Sequence, residues 1–150
     1  METRKHSHQI GLDVSPAEVF TLLITPSAIR GWWGASRAIV VARPGGVWAA
    51  AWGADEDIPD YVTVLKIKAF EPPRRLFLTN TKYFAKNGSP PFQADLTTEF
   101  TIEPTDGGSI LQVVQDGFPA DAVADEFYAA CEKGWRDTFD SIKRFLEPTG

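Results

Sequence analysis

The most constraining feature of this sequence is a long amphipathic segment near its C-terminal end. Apolar side chains recur there every three or four residues, which places them on one face of an α-helix of about six turns. These residues are Phe127, Cys131, Trp135, Phe139, Ile142 and Phe145. Large aromatic groups along one helix face need a wide, concave, apolar partner. Because most of the preceding chain is typical of β-strands, we expect that partner to be a curved sheet.

Composition predicts a soluble cytoplasmic protein. The 150 residues fit one domain, and a net charge of −5 without long charged runs argues against binding to nucleic acid or to an anionic membrane surface. The single cysteine, Cys131, excludes an internal disulfide and fits a reducing compartment. The sequence contains neither an apolar run long enough to span a bilayer nor the apolar core of a signal peptide.

The order of predicted elements indicates an antiparallel α+β domain. A strand over residues 6–12 precedes a short helix, with Ser15 as N-cap, Pro16 in the first turn and Glu18 completing a capping box. A second short helix covers residues 26–33. Six more strands are predicted at residues 38–42, 47–53, 61–70, 76–83, 92–103 and 109–118, and the long helix covers about 122–146.

Short motifs are spread along the chain in a characteristic order. They are Ser15-Pro16-Ala17-Glu18-Val19-Phe20, Trp32-Trp33, Pro44-Gly45-Gly46, Pro72-Pro73-Arg74-Arg75-Leu76, Gly117-Phe118 and Gly134-Trp135. With these motifs the whole chain resembles the helix-grip (SRPBCC) superfamily of START and birch-pollen-allergen-like domains. Within it, the chain is similar to the branch named after the activator of the heat-shock-protein ATPase, homologue 1-like. The resemblance implies a seven-stranded antiparallel sheet curved around the C-terminal helix, with a cavity between them and two short helices after the first strand.

Strand alternation assigns side chains to the face that would meet the helix. The inward set is mostly apolar, with a few neutral hydrogen-bonding groups, which suits a lipid-like or aromatic ligand. The alternative is that these side chains simply fill the core. The inward positions on the sheet are Trp48, Trp52, Tyr61, Thr63, Leu96, Thr98, Phe100, Leu111, Val113 and Gln115. The candidate ligand-binding residues are Trp33, Trp48, Trp52, Tyr61, Thr98, Gln115, Phe118, Tyr128, Cys131 and Trp135.

Two of these candidates have open alternatives. A buried amide must be paired, so we expect Gln115 to bond Thr98, Tyr61 or backbone, the alternative being that it awaits a ligand. Of the Trp32-Trp33 pair, we expect one ring to pack under the long helix and the other to cap the cavity mouth, unless both belong to the core. Loops at residues 90–92 and 117–119, each with an aromatic tip, are expected to complete the entrance.

Residues that commonly perform catalysis are expected to have structural roles here. Cys131 lies on the apolar stripe, where burial makes a thiol inert. His6 and His8 are expected on a solvated edge strand, without further ligands for a metal. The acidic residues Asp55, Glu56, Asp57 and Asp60 are expected to form a solvated lip. Gly134, inside the long helix, is expected to mark a close approach to another element, because glycine is otherwise unfavourable in a helix.

These observations favour a non-enzymatic binding domain for a small hydrophobic or amphipathic molecule, with no cofactor and no metal. A second hypothesis, from the resemblance, is a co-chaperone or stress-response module whose partner is a chaperone or another protein. A third is an enzyme of the cyclase or hydrolase kind, which needs a positioned acid or base that the predicted interior supplies poorly. A monomer or a homodimer is expected.

Overall fold

A computed structural model of the chain describes residues 2–55, 57–88 and 94–147. Its strands are β1 (Thr3–Leu12), β2 (Arg37–Val40), β3 (Val47–Trp52), β4 (Tyr61–Glu71), β5 (Arg75–Ala85), β6 (Thr97–Thr105) and β7 (Gly108–Pro119). They form one antiparallel sheet in the order β1-β7-β6-β5-β4-β3-β2. The sequence-based prediction of an α+β domain with a seven-stranded antiparallel sheet is confirmed.

Two short helices follow β1, as predicted, and each has a recognisable start and stop. Helix α1 spans Pro16–Ile24, and the Ser15 side chain accepts a hydrogen bond of 3.2 Å from the Glu18 backbone N–H. Helix α2 spans Pro26–Trp33 and ends at Gly34, whose φ of 71° is a conformation that favours glycine. A single 3-10 turn over Ala122–Ala124 leads into the long helix α3 (Asp125–Leu146).

Strand alternation correctly identified the concave face of the sheet. Thr98, Phe100 and Ile102 of β6 are buried beneath the helices, and so are Leu111 and Val113 of β7. The core lies between this face and the helices, and α3 is anchored in it by three buried apolar side chains. These are Trp135, Phe139 and Ile142.

Two expectations for α3 were wrong. Phe145 was expected to be buried, yet it is 46% exposed, because the last turn of α3 lies on α2 and the ring covers Gly31. Gly134 was expected to mark a close approach, yet no atom lies within 4 Å of the position a β-carbon would take there. The glycine that permits the close approach is Gly31, where a methyl group would overlap the Phe145 ring.

Expectations for β1 and for the end of β7 also need correction. β1 is an edge strand, but the His6 side chain is only 6% exposed and points into the core. Phe118 was expected at the tip of a loop, yet it is fully buried in β7 opposite Arg4. Gly117, with φ of 96°, breaks the alternation, so that Phe118 and Gln115 both face the helix although they are three residues apart.

Strand β6 begins later than predicted. Residues 94–96 are not in strand conformation, and the predicted start at residue 92 and the predicted entrance loop at 90–92 lie outside the described residues. Leu96 is nonetheless buried, as its inward assignment requires. None of the helices in the described ranges combines the length and the apolar character that crossing a membrane requires.

Candidate functional site

One end of the interior is occupied by a cluster of five tryptophans with Trp33 at its centre. The Trp33 ring centroid lies 4.7 Å from that of Trp52, 5.4 Å from Trp48 and 5.5 Å from both Trp32 and Trp135. Trp32 is fully buried and Trp33 is half-buried against the long helix. The four candidate tryptophans, at positions 33, 48, 52 and 135, therefore lie together, between α2, β3 and α3.

Three of the five indole N–H groups in this tryptophan cluster donate to backbone carbonyls. The Trp32 indole N–H donates to the Leu22 carbonyl at 3.0 Å, and that of Trp48 donates to the Leu23 carbonyl at 2.8 Å. The Trp52 indole donates to a backbone carbonyl of α2 at 3.2 Å. Because its rings contact one another and three of its five indole N–H groups are bonded to backbone carbonyls, this end of the interior has the properties of a folded core.

The other end of the interior contains a group of polar side chains brought together by the register of three strands. His6 of β1 is paired with Gln115 of β7, which is paired in turn with Thr98 of β6. The Gln115 amide nitrogen donates to the Thr98 hydroxyl at 3.1 Å, so Thr98 is the one of the three predicted partners that it bonds. Beside them, His6 Nδ1 lies 3.1 Å from His8 Nε2.

Two atoms of this polar group are buried without a partner. Gln115 Oε1 and His6 Nε2 have no hydrogen-bond partner among the described residues. A buried acceptor or donor that is left unpaired costs about 1–3 kcal/mol, so such atoms need an explanation. The Gln115 amide thus combines both alternatives stated for it, since its nitrogen is bonded within the protein and its oxygen is not.

Aromatic rings surround the polar group. The His6 ring centroid is 5.3 Å from that of Phe118 and 5.4 Å from that of Tyr128. The Tyr128 hydroxyl donates to the Lys5 carbonyl at 2.8 Å, and the Arg4 guanidinium lies 4.4 Å from the centre of its ring. Tyr128 is thus fixed in place by its hydroxyl and contributes a ring face.

The rim of this end is lined by aromatic side chains that remain accessible. Tyr61 was assigned to the interior, but it lies at the start of β4 and is 46% exposed. Its ring is 6.1 Å from that of Tyr83, which is 5.6 Å from Phe127 of α3. Tyr83, Phe127 and Cys131 are all half-buried, so part of each of these side chains is in contact with solvent.

Burial favours the neutral forms of the thiol and the two imidazoles at this site. Burial raises the pKa of the Cys131 thiol to about 12, in agreement with the predicted inert thiol. Burial also lowers the pKa of His6, and the neighbouring His8 lowers it further, against opposing effects of Glu132 and Gln115. The pKa of His8 is lowered for the same main reason.

His6 and Tyr83 were missed by the sequence-based selection, although a signal for His6 was present. His6 and His8 share their strand face with Ile10 and Leu12, and Leu12 is buried in the core. The alternation of β1 therefore placed both histidines inward. Their polar character and their position near the chain end favoured the wrong interpretation.

The acidic loop has local partners. The Asp57 backbone N–H donates to the Asp55 carboxylate at 2.9 Å, and Asp60 forms an ion pair of 3.1 Å with Lys86. Glu56 lies outside the described residues. Within the described part of the chain, no three His, Cys, Asp or Glu side chains are grouped so that they could hold a metal ion.

Comparison with known proteins agrees with this architecture. The family model described as activator of Hsp90 ATPase homolog 1-like protein matches residues 13–147. A comparison with curated protein sequences gives no significant match.

Solved structures share the fold at low sequence identity. Protein MLL2253 from Mesorhizobium loti is 20% identical, with a TM-score of 0.78 over 98% of this chain and 99% of that one. The Aha1 dimer from Colwellia psychrerythraea is 16% identical, with a TM-score of 0.75 over 96% of both chains. CalU16 from Micromonospora echinospora is 18% identical, with a TM-score of 0.69 over 98% of this chain and 78% of that one.

Proposed function

We propose that this chain, which belongs to the activator of Hsp90 ATPase homolog 1-like family, binds a small hydrophobic or amphipathic molecule between its curved sheet and helix α3. The ligand would enter at the end of the interior where β4, β5 and α3 meet. The observation that carries this proposal is the difference between the two ends of the interior. The tryptophan cluster is packed ring against ring, with three of its indole N–H groups bonded to backbone, whereas the opposite end combines half-exposed aromatic rings with two buried, unpaired polar atoms.

This combination has the composition of a ligand site. Small-molecule sites are lined mainly by apolar and aromatic groups, with a few polar atoms that fix the orientation of the ligand. Here Tyr83, Phe127 and Phe118 supply apolar surface, while Gln115 and His6 supply the polar atoms.

The chemically reactive side chains at this site favour ligand binding over catalysis. The Cys131 thiol has a pKa of about 12 and is therefore a poor nucleophile at neutral pH. The Tyr128 hydroxyl donates to a backbone carbonyl, so it is engaged in the structure. These groups would serve as walls of the site.

The test is a thermal-shift screen with fatty acids, sterols and polyphenols, followed by native mass spectrometry of any complex. We expect at least one class to raise the melting temperature, because a ligand that binds only the folded state stabilises it. Tyr83→Ala should weaken that binding. The matched control is Phe84→Ala, since Phe84 is the next residue of β5, on the opposite face, and is exposed. No stabilisation by any class would overturn the proposal.

A second candidate function is favoured by the family match alone. The family is named after an activator of the Hsp90 ATPase, so the chain is also a candidate partner of that chaperone. The measurement is the rate of ATP hydrolysis by Hsp90 with and without this protein. Stimulation at stoichiometric concentration would favour the chaperone role over ligand binding.

A further inference from the structure

The two outer edges of the sheet differ in how they are protected from pairing with another strand. At one edge, β1 carries the charged residues Arg4 and Lys5, and the Tyr128 hydroxyl of α3 donates to the Lys5 carbonyl. At the other edge lies β2, where residues 38–42 read Ala-Ile-Val-Val-Ala. Edge strands usually avoid unwanted pairing by means of charged side chains, prolines or bulges. Apart from Arg37 at its start, β2 has none of these.

The backbone of β2 has hydrogen-bonding groups on its outer side. The Val41 N–H donates to the Val47 carbonyl of β3 at 2.8 Å. Backbone groups alternate in direction along an antiparallel strand, so those of Ile39 also face β3, whereas those of Ala38 and Val40 face outward. Within the described ranges, no strand pairs with that outer side. The N–H and C=O groups of Ala38 and Val40 can therefore bond a further strand.

The side chains next to this edge continue as an apolar surface on the convex face of the sheet. Ile39 is 61% exposed although it is a large apolar residue. It shares the convex face of β2, β3, β4 and β5 with Ala49, Ala51, Val62, Val64 and Phe84. A contiguous exposed apolar surface of this kind is typical of an interaction site.

We propose that β2 pairs with β2 of a second copy of this chain. The two strands would run antiparallel about a two-fold axis and join the two seven-stranded sheets into one. In the register that uses the whole strand, Ala38 of one copy is opposite Val40 of the other, so the outward-facing groups of both strands are satisfied. Ile39 then lies opposite the same residue of the second copy. A strand paired in this way with its own copy is self-complementary, as a two-fold contact requires.

The distribution of charge favours this edge pairing over the stacking of two convex faces. Lys66 and Lys82 lie on the same convex face and are exposed. Stacked faces would bury these lysines against apolar surface, and an unpaired buried charge is costly. Edge pairing leaves them in solvent, on β4 and β5, away from the axis. It also places Arg37 opposite Val41 of the second copy and not opposite another cation.

The assembly should be a weak dimer and should not grow further. The joined sheet would end in two copies of β1, whose edges carry charges and are engaged by Tyr128. β2 has only four residues, so the contact belongs to the class of small interfaces that bury less than about 1,200 Å² in total. This inference is independent of the proposed function, because the β2 edge takes no part in the proposed ligand site.

The first test is sedimentation velocity from about 10 µM to about 1 mM, a range that covers the dissociation constants of weak complexes. We expect the monomer fraction of the wild-type protein to fall as the concentration rises. Ile39→Lys should remain monomeric, because two lysines opposite each other repel. The matched control is Phe84→Lys, on the same face but three strands from the edge, which should dimerise as the wild type does. Circular dichroism would verify that both variants are folded.

The second test measures the register by cross-linking. Directly opposite residues in a non-hydrogen-bonded antiparallel pair have Cα atoms about 4.5 Å apart, which a disulfide can span. With oxidised glutathione, Ile39→Cys should form a covalent dimer about tenfold faster than Val123→Cys, because pairing raises the effective concentration of the two thiols. Val123 is 50% exposed and lies in the 3-10 turn before α3. The wild-type protein, with Cys131 alone, is the blank.

Each outcome decides the proposal. A dimer that is lost only in Ile39→Lys, together with rapid cross-linking of Ile39→Cys, would support the pairing of β2 with β2. A wild-type protein that is monomeric over the whole concentration range would overturn it. Loss of the dimer in Phe84→Lys would also overturn it, since that result would place the contact on the convex face. Equal cross-linking rates for Ile39→Cys and Val123→Cys would contradict the assigned register and the β2 contact.

Discussion

At the scale of single residues, Gly134 shows that a glycine inside a helix need not mark a close contact with another element. It lies in the middle of α3, and the space around the position of a β-carbon is empty. Gly134→Ala should therefore raise the free energy of unfolding by about 1 kcal/mol, because alanine is the better helix former. Urea denaturation of the variant measures this. Gly34→Ala is the opposing control, because its left-handed φ of 71° should make the same substitution destabilising.

His6 is the residue whose protonation should limit stability in mild acid. Its pKa in the folded protein is lowered from the usual 6.5, mainly by burial, so the unfolded chain takes up the proton first as the pH falls. The free energy of unfolding should then decrease progressively as the pH falls below about 6.5, and His6 should have no such effect well above that value. Denaturation of His6→Phe between pH 7.5 and 5.5 should show a weaker dependence on pH. Parallel curves for the two proteins would contradict this assignment.

At the scale of elements, the attachment of α3 depends most on Trp135. This side chain is 6% exposed and contacts Trp33, Phe100 and Phe139. Trp135→Ala should cost about 3–5 kcal/mol through the cavity it leaves, measured by chemical denaturation. Phe145→Ala on the same helix is the comparison, because that ring is half exposed and its loss should cost much less. Similar losses for both variants would show that the two ends of α3 are anchored alike.

Element boundaries and strand faces were largely predictable from the sequence because each has a local cause. Ser15 and Pro16 fix the start of α1, and alternation sorts β6 and β7 into inward and outward faces. The position of the last turn of α3 was not predictable, since it depends on where α2 lies in space. The sequence pattern therefore assigned Phe145 to the core, whereas its ring packs against Gly31 of α2.

The candidate site was predictable only in part for the same reason. The pairing of Gln115 with Thr98 follows from two inward positions on neighbouring strands. The pairing of His6 with Gln115 requires the sheet order, in which the first strand lies beside the last. No local pattern contains that information. The exposure of Tyr61 at the rim likewise depends on where α3 begins, since Phe127 of its first turn contacts Tyr83 beside Tyr61.

At the scale of the whole molecule, this strand order should make folding slow. β1 pairs with β7 along its whole length, so contacts such as Leu12 with Ser109 join distant parts of the chain. Proteins dominated by such non-local pairing fold in about milliseconds to seconds. Stopped-flow refolding followed by tryptophan fluorescence should give a main phase in that range. A main phase faster than the dead time would contradict the expectation.

The pairing of β1 with β7 also has a consequence for biosynthesis. His6 is translated long before Gln115, yet the two are partners in the register of neighbouring strands. The tryptophans of α2 and β3 are translated long before this pair can form. The sheet can therefore close only after β7 has been made, and a bulky fusion joined directly before Thr3 should hinder that closure more than one joined after α3.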